Sequence, residues 1–274
     1  MGKYGGEELT FGSDLDLLIL GDANEPETLQ KCAEMQKIIG YRQSAGVTYE
    51  LDFRLRPYGN DGPLILTLSA FDHYHKHAGQ LWERQMLTRS RIVAGSPGLT
   101  EAFIQMRDAL LYKSGLSVED IQLIRQMRET IQREKAPHSD RETNFKTGPG
   151  GLVDIEFLCQ ATQLAYGHRY PSLCQPDTRS VLERLRPIAL FPEASLAQLI
   201  ENQAFLNTVQ LYLRRDENRS LNTFSFESQQ EEALARWLGF SGVSDFRKRY
   251  LACLKDNAST IEALWQQLSA ALQG

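Results

Sequence analysis

Residues 11–20 read FGSDLDLLIL and place Asp14 and Asp16 at the mouth of an otherwise apolar run. The run LDLLIL predicts a short β-strand, and residues two apart on a strand share a face, so the two carboxylates would point the same way. Two bare like charges so placed repel each other. A divalent cation between them removes the conflict, and oxygen-only donors suit Mg²⁺ or Mn²⁺, which keep waters and bridge to phosphate oxygens. Gly12 and Ser13 supply a tight turn whose amides and hydroxyl can meet a phosphate. The plainer reading makes Ser13 and Asp14 turn or capping residues and leaves Asp16 solvated.

A second stretch bears on the choice. In VTYELDFRLRP (47–57) Val47, Tyr49, Leu51, Phe53 and Leu55 alternate with Thr48, Glu50, Asp52, Arg54 and Arg56. This predicts a strand with one core face and with Asp52, Arg54 and Arg56 in a row on the other. Laid beside the first strand, Asp52 becomes a third carboxylate, able to hold a second ion and to take a proton from an attacking hydroxyl. The arginine forks suit phosphate oxygens. Cross-strand charge pairing is the alternative, worth about 0.2–1 kcal/mol per pair.

Around these stretches the chain changes texture. Residues 1 to about 68 are glycine-rich with short β-type runs, LILTL being the third, and the segment around Cys32 reads as a helix. From about residue 69, apolar residues recur at helical spacing over 69–94, 99–113, 117–134, 151–167, 178–189, 195–215, 228–239 and 243–271, divided by SPG, APHSD, TGPGG and FPEAS. The expected class is α+β, divided into 1–94 and an all-helical 95–274. The polar segment 135–150 reads as the least ordered.

The chain has 274 residues, 42% hydrophobic and 24% charged, the composition of a soluble globular protein. A net charge of -5 argues against coating nucleic acid through the overall field. Four cysteines without metal-ligand spacing read as reduced structural thiols of a cytoplasmic protein. No leader-like segment and no apolar run of roughly 18 residues is present, so no membrane role is expected.

Four segments, GKYGGEELTFGSDLDLLIL (2–20), ELDFRLRPYGNDGPL (50–64), WERQMLTRSRIVAG (82–95) and GPGGLVDIEFLCQ (148–160), in this order closely resemble the glutamine synthetase adenylyltransferase family. That family carries two homologous nucleotidyltransferase halves, each followed by helices. The resemblance implies a polymerase-beta-like nucleotidyltransferase domain with a small mixed sheet, followed by an all-α helical bundle. It matches Asp14, Asp16 and Asp52 to the metal-binding catalytic carboxylates, and Gly5, Gly6 and Ser13 to the nucleotide-cradling loop. Gly12, Arg54 and Arg56 join that nucleotide-binding set from the turn and strand readings above. The implied ligands are ATP and two Mg²⁺ ions. The implied partners are glutamine synthetase and a nitrogen-signalling regulatory protein, with no nucleic acid and no membrane.

GGLVDIEF (150–157) resembles the half that transfers AMP from ATP to a tyrosine, while LRRDENRSL (213–221) and FRLRPYGNDGPL (53–64) resemble the half that removes AMP by phosphorolysis at least as well. The expectation is adenylyl transfer. Removal of AMP is one alternative, and an inactive nucleotide-sensing or docking fragment is another. The family has an apolar strand and a helix ahead of the GK-x-GG turn, where this chain has only Met1; a truncated sheet with an unpaired edge is expected.

Several other residues carry expectations. Arg84 and Arg91 would share a helix face with Thr88 and could reach phosphates, or form a solvated basic face. Glu83 would pair with a neighbouring arginine. Asp154 would anchor a cation such as Lys146, whereas Glu156, Gln160 and Gln163 form a polar stripe. His73, His75 and His77 would lie on different sides of a helix. Trp237, Phe240, Phe246, Tyr250 and Trp265 would be core.

Overall fold

The fold comes from a computed structural model, which describes residues 1–21, 26–43, 46–47, 49–135, 141–217 and 221–273. Thr48 of the alternating stretch lies outside them.

The apolar run after Asp14 divides into two short strands. A single-turn helix α1 (Gly2–Gly5) leads into β1 (Leu15–Asp16) and β2 (Ile19–Leu20), followed by α2 (Pro26–Ile39), β3 (Arg42–Gln43), β4 (Gly46–Val47), β5 (Leu51–Asp52) and β6 (Ile65–Leu66). Strands pair in twos: β1 runs parallel to β5, β2 parallel to β6, and β3 antiparallel to β4. In the β1–β5 register Leu15 lies opposite Leu51, and Asp16 opposite Asp52. The N–H groups of Leu15 and Leu17 donate to the carbonyls of Glu50 and Asp52, each at 2.8 Å, which fixes that register on both sides of Asp16.

The predicted strand over 47–57 is cut short. Asp52 Oδ1 accepts the main-chain N–H of Arg54 at 2.8 Å, an aspartate turn that bends the chain away from the ladder. Alternation of apolar and polar residues continues past the point where the backbone has left the sheet. Arg56 therefore does not extend a row of charges: its guanidinium donates to the carbonyls of Phe53, Asn60 and Gly62 and stitches the following loop together.

Helices make up the rest. They are α3 (Leu68–His77), α4 (Leu81–Leu87), α5 (Pro97–Tyr112), α6 (Val118–Glu134), α7 (Leu152–Tyr166), α8 (Thr178–Leu185), α9 (Glu193–Glu217), α10 (Gln229–Trp237) and α11 (Val243–Ala271), with a short hairpin pair, β7 (Glu142–Asn144) and β8 (Thr223–Ser225). The class is α+β, dominated by helix. The continuous helix expected over 69–94 breaks at Gly79. Glu83 caps the restart by accepting the Gln80 N–H at 2.7 Å, and its other oxygen takes the Tyr74 hydroxyl at 2.9 Å, so it is not paired with an arginine as expected. The Thr88 and Ser90 hydroxyls donate back to the Gln85 and Leu87 carbonyls and end α4.

The stretch expected to be least ordered holds more structure than its composition suggests. Of its described residues, Glu142–Asn144 pair with β8, and Phe145 is fully buried. Residues 136–140 lie outside the described residues. Gly150 takes φ +69°, and a Cβ there would collide with the Leu254 carbonyl, so the turn into α7 needs glycine.

α7 is the central post. Every residue of it is buried except Asp154 and Glu156, as expected for a helix surrounded by others. Its polar residues are satisfied inside: Gln160 accepts from Gln85 at 2.7 Å, and Gln163 donates to the carbonyls of Leu173 and Gln175. One apolar cluster joins Phe71 and Leu87 to α5–α8 and the end of α11; a second, with Phe145, Phe224, Phe246 and Tyr250, fills the space between α9, α10 and α11. Trp265 belongs to the first. Trp237 departs from expectation: it is half exposed and leans on Tyr212 at 5.1 Å.

Candidate active site

β1 and β5 set two of the three acidic side chains side by side. Asp16 and Asp52 are register partners on neighbouring strands, so their side chains leave the same face. Asp14 lies just before β1 and is exposed at its mouth, and its charge reaches both Asp16 and the Arg54 guanidinium. Burial pushes the Asp16 carboxyl above the usual carboxylate range, and the charges of Asp52 and Asp14 add to the effect while Lys146 opposes it.

Asp52 behaves in the opposite sense. The Arg54 guanidinium grips both its oxygens, at 3.0 and 2.8 Å from Nε, and holds its pKa below the ordinary value. Among the described residues no three acidic, histidine or cysteine side chains form a ready-made metal cage. The donor set still has the right chemistry for a hard cation: carboxylate oxygens on adjacent strands, one of them half-buried beside like charges. Arg54 is largely exposed, so releasing Asp52 requires only a side-chain swing.

The turn in front of the acids is built as the sequence predicts. Gly12 takes φ +62°, the left-handed region that glycine enters without strain, and Ser13 is buried with its hydroxyl 3.1 Å from both the Thr10 N–H and the Thr10 hydroxyl. Gly5 and Gly6 have a packing duty. A Cβ on Gly5 would strike the Arg89 carbonyl, and one on Gly6 would strike the Arg89 guanidinium.

Arg89 is the feature that sequence reading passed over. It is 4% exposed and forms ion pairs with Glu8 and, at 3.1 Å, with Glu156 of α7. Glu8 also accepts the N–H of Thr178, the first residue of α8, at 2.9 Å. This buried triad binds the loop that leads into Gly12 to the central helices. In TRSR nothing marks Arg89 off from Arg91, which stays at the rim with its guanidinium on the Tyr4 and Gly5 carbonyls and near Glu7. Arg84 and Arg91 do not share a helix face, because α4 ends before Arg91.

Asp154 is an anchor, but its cation is Arg128 at 2.6 Å and not Lys146. Arg128 also donates to the Thr147 and Gly148 carbonyls, and Asp154 accepts the Gly150 N–H at 2.6 Å, so the pair clamps the turn before α7. Lys146 is left to face Asp16 and Glu156. From the far side, Arg214 of α9 reaches in: it donates to Thr10 Oγ1 at 3.1 Å, one hydroxyl away from Ser13, while also holding the Leu221 carbonyl and the Asn222 amide oxygen.

Comparison with known proteins identifies the relatives of this chain. Residues 1–106 match the family model described as glutamate-ammonia ligase adenylyltransferase, and residues 122–267 match the model described as GlnD PII-uridylyltransferase. Curated relatives run through both segments. The bifunctional glutamine synthetase adenylyltransferase/adenylyl-removing enzyme of Thioalkalivibrio sulfidiphilus is 32% identical over 252 residues, 86% of this chain and 26% of that protein. The protein of the same description from Streptomyces coelicolor is 30% identical over 277 residues, 97% of this chain and 28% of that protein. The chain thus spans about a quarter of the length of these relatives.

Proposed function

Because the chain belongs to the glutamate-ammonia ligase adenylyltransferase family, we propose that it is one nucleotidyltransferase half of such an enzyme and transfers AMP from ATP to a tyrosine of glutamine synthetase. In this reading residues 1–94 form a polymerase-beta-like catalytic domain and 95–274 its helical domain. The observation that carries it is the facing of Asp16 and Asp52 across β1 and β5, with Asp14 at the mouth, inside the segment matched by the adenylyltransferase model.

Asp14, Asp16 and Asp52 would hold Mg²⁺, which when bound offsets charge on the phosphate oxygens. Arg54 moves from Asp52 to a phosphate oxygen, which restores the proton affinity of Asp52. The carboxylate then accepts the tyrosine hydroxyl proton, the phenolic oxygen bonds to the α-phosphorus, and the bond to the β-phosphate oxygen breaks to release pyrophosphate. The Gly12–Ser13 turn and the Gly5–Gly6 segment flank the nucleotide, and Arg56 shapes the neighbouring loop. Phosphorolytic removal of AMP is the second reading, favoured by the relatives' printed names, which carry both activities. A nitrogen-signalling protein is the regulatory partner in either case.

The test is incubation with labelled ATP, Mg²⁺ and unmodified glutamine synthetase, and in parallel with phosphate and the adenylylated form. Label transfer is expected in the first arm. Asp14→Ala and Asp16→Asn should each lower it by about 10²-fold or more with an unchanged circular dichroism spectrum. Undiminished transfer in either variant rejects the carboxylate assignment; product in the second arm alone reverses the direction of the reaction.

A further inference from the structure

Three cations from three separate elements converge beside the acids, and two of them lack a matching anion. The Lys3 ammonium donates to the side-chain oxygen of Gln210, one helical turn before Arg214 on α9. Lys146 projects from the turn before α7, whose backbone is pinned by Asn144 Oδ1, accepting the Lys146 and Thr147 N–H groups, and by the Val153 N–H, which donates to the Lys146 carbonyl. Among the described residues no carboxylate lies within ion-pair distance of Lys3 or Lys146. The nearby Glu8 and Glu156 are engaged by Arg89. The amide nitrogen of Gln210, on the same amide that Lys3 contacts, is fully buried and has no hydrogen-bond partner.

A half-buried group of like charges is costly unless an anion sits among them. Burial above all, and then repulsion from Arg214 and Lys146, brings the Lys3 ammonium down to about 7; Lys146 is lowered by burial first and by repulsion from Arg214 and Arg89, against the pull of Glu156 and Asp16. Arg214 is joined through Thr10 to Ser13, and the charges of Asp14 and Asp16 act on Arg214 and Lys146 respectively, so the cluster adjoins the acids.

Resting on the adenylyl-transfer reading, we infer that Lys3, Lys146 and Arg214, with the Gln210 amide, form a phosphate-oxyanion subsite contributed mainly by the helical part of the chain. Its ligand is either the β- and γ-phosphates of a nucleotide or free inorganic phosphate. Arg54 is committed to Asp52 and belongs to a separate element, so the two basic groups would hold different phosphates.

Calorimetric titration of the whole chain in Mg²⁺ buffer with ATP, AMP, pyrophosphate and inorganic phosphate tests this, comparing the parent with Lys146→Gln and Lys3→Gln. Loss of one charge-assisted contact should weaken the oxyanion ligands about tenfold or more and leave AMP unchanged. Weakening confined to ATP and pyrophosphate assigns the subsite to the nucleotide tail; weakening of inorganic phosphate assigns it to the free anion. Lys146→Gln should also raise the melting temperature by relieving repulsion, which loss of a structural contact would not do. Unchanged affinity for all three oxyanions in the folded variants overturns the subsite. A parent that binds pyrophosphate but not ATP retains the subsite and removes the adenylyl-transfer reading instead.

Discussion

Asp16 and Asp52 occupy one ladder position, yet their surroundings drive their carboxyls in opposite directions, Asp16 upward by burial and Asp52 downward by Arg54. Replacing Arg54 with Ala should let the Asp52 titration rise toward the ordinary carboxylate range, readable by carboxyl-carbon NMR; an Asp52 midpoint that stays put would show that Arg54 does not hold it. His75 gives a cleaner pH signature. It is buried against Phe71 with a ring separation of 4.3 Å, its Nδ1 has no partner, and burial lowers its pKa to about 4 despite the opposing pull of Asp72. Its neutral form is the one the fold accepts, so its contribution is complete above the unfolded value near 6.5 and is lost as pH falls toward 4. The loss should reach roughly 2–3 kcal/mol across that window. Urea unfolding at a series of pH values should record it in the parent, and a His75→Leu variant should show a flatter profile.

At the scale of elements, α7 owes its entry to the Arg128–Asp154 pair. Asp154→Asn leaves a 3% exposed guanidinium without its counter-charge and should cost about 3 kcal/mol by denaturant unfolding. A change under about 0.5 kcal/mol would mean that the turn holds without the pair. The helices from α5 onward were legible because each needs only its own 3.6-residue spacing and a Gly, Pro or Ser at its ends. The turn at Gly12 and the strand that carries Asp16 were legible for a similar reason, since local turn and strand rules govern them. The length of β5 was not, because Asp52 competes for the backbone of Arg54, and alternation carries no record of that local bond. Arg89, Lys3, Lys146 and Arg214 were beyond reach as well. Their meaning depends on neighbours far away in the chain, such as Glu8 beside Glu156 or Thr10 beside Arg214.

In the whole molecule the Glu8–Arg89–Glu156 triad and the shared apolar cluster bind the acidic strands to the helices. Arg89→Met should strand two carboxylates near the core and lower stability by about 3–5 kcal/mol, seen as a lower urea midpoint; an unchanged midpoint would show that the apolar cluster alone joins them. The parallel pairing of β1 with β5 carries a consequence in time. Each strand is two residues long, and the intervening chain includes all of α2, so no hairpin can bring Asp16 to Asp52 early. Contacts so distant along the chain form slowly, whereas helices gather in microseconds. After dilution from denaturant, far-ultraviolet ellipticity should recover first and the near-ultraviolet signal of fixed tertiary packing later, the two acids meeting as one of the last events of folding.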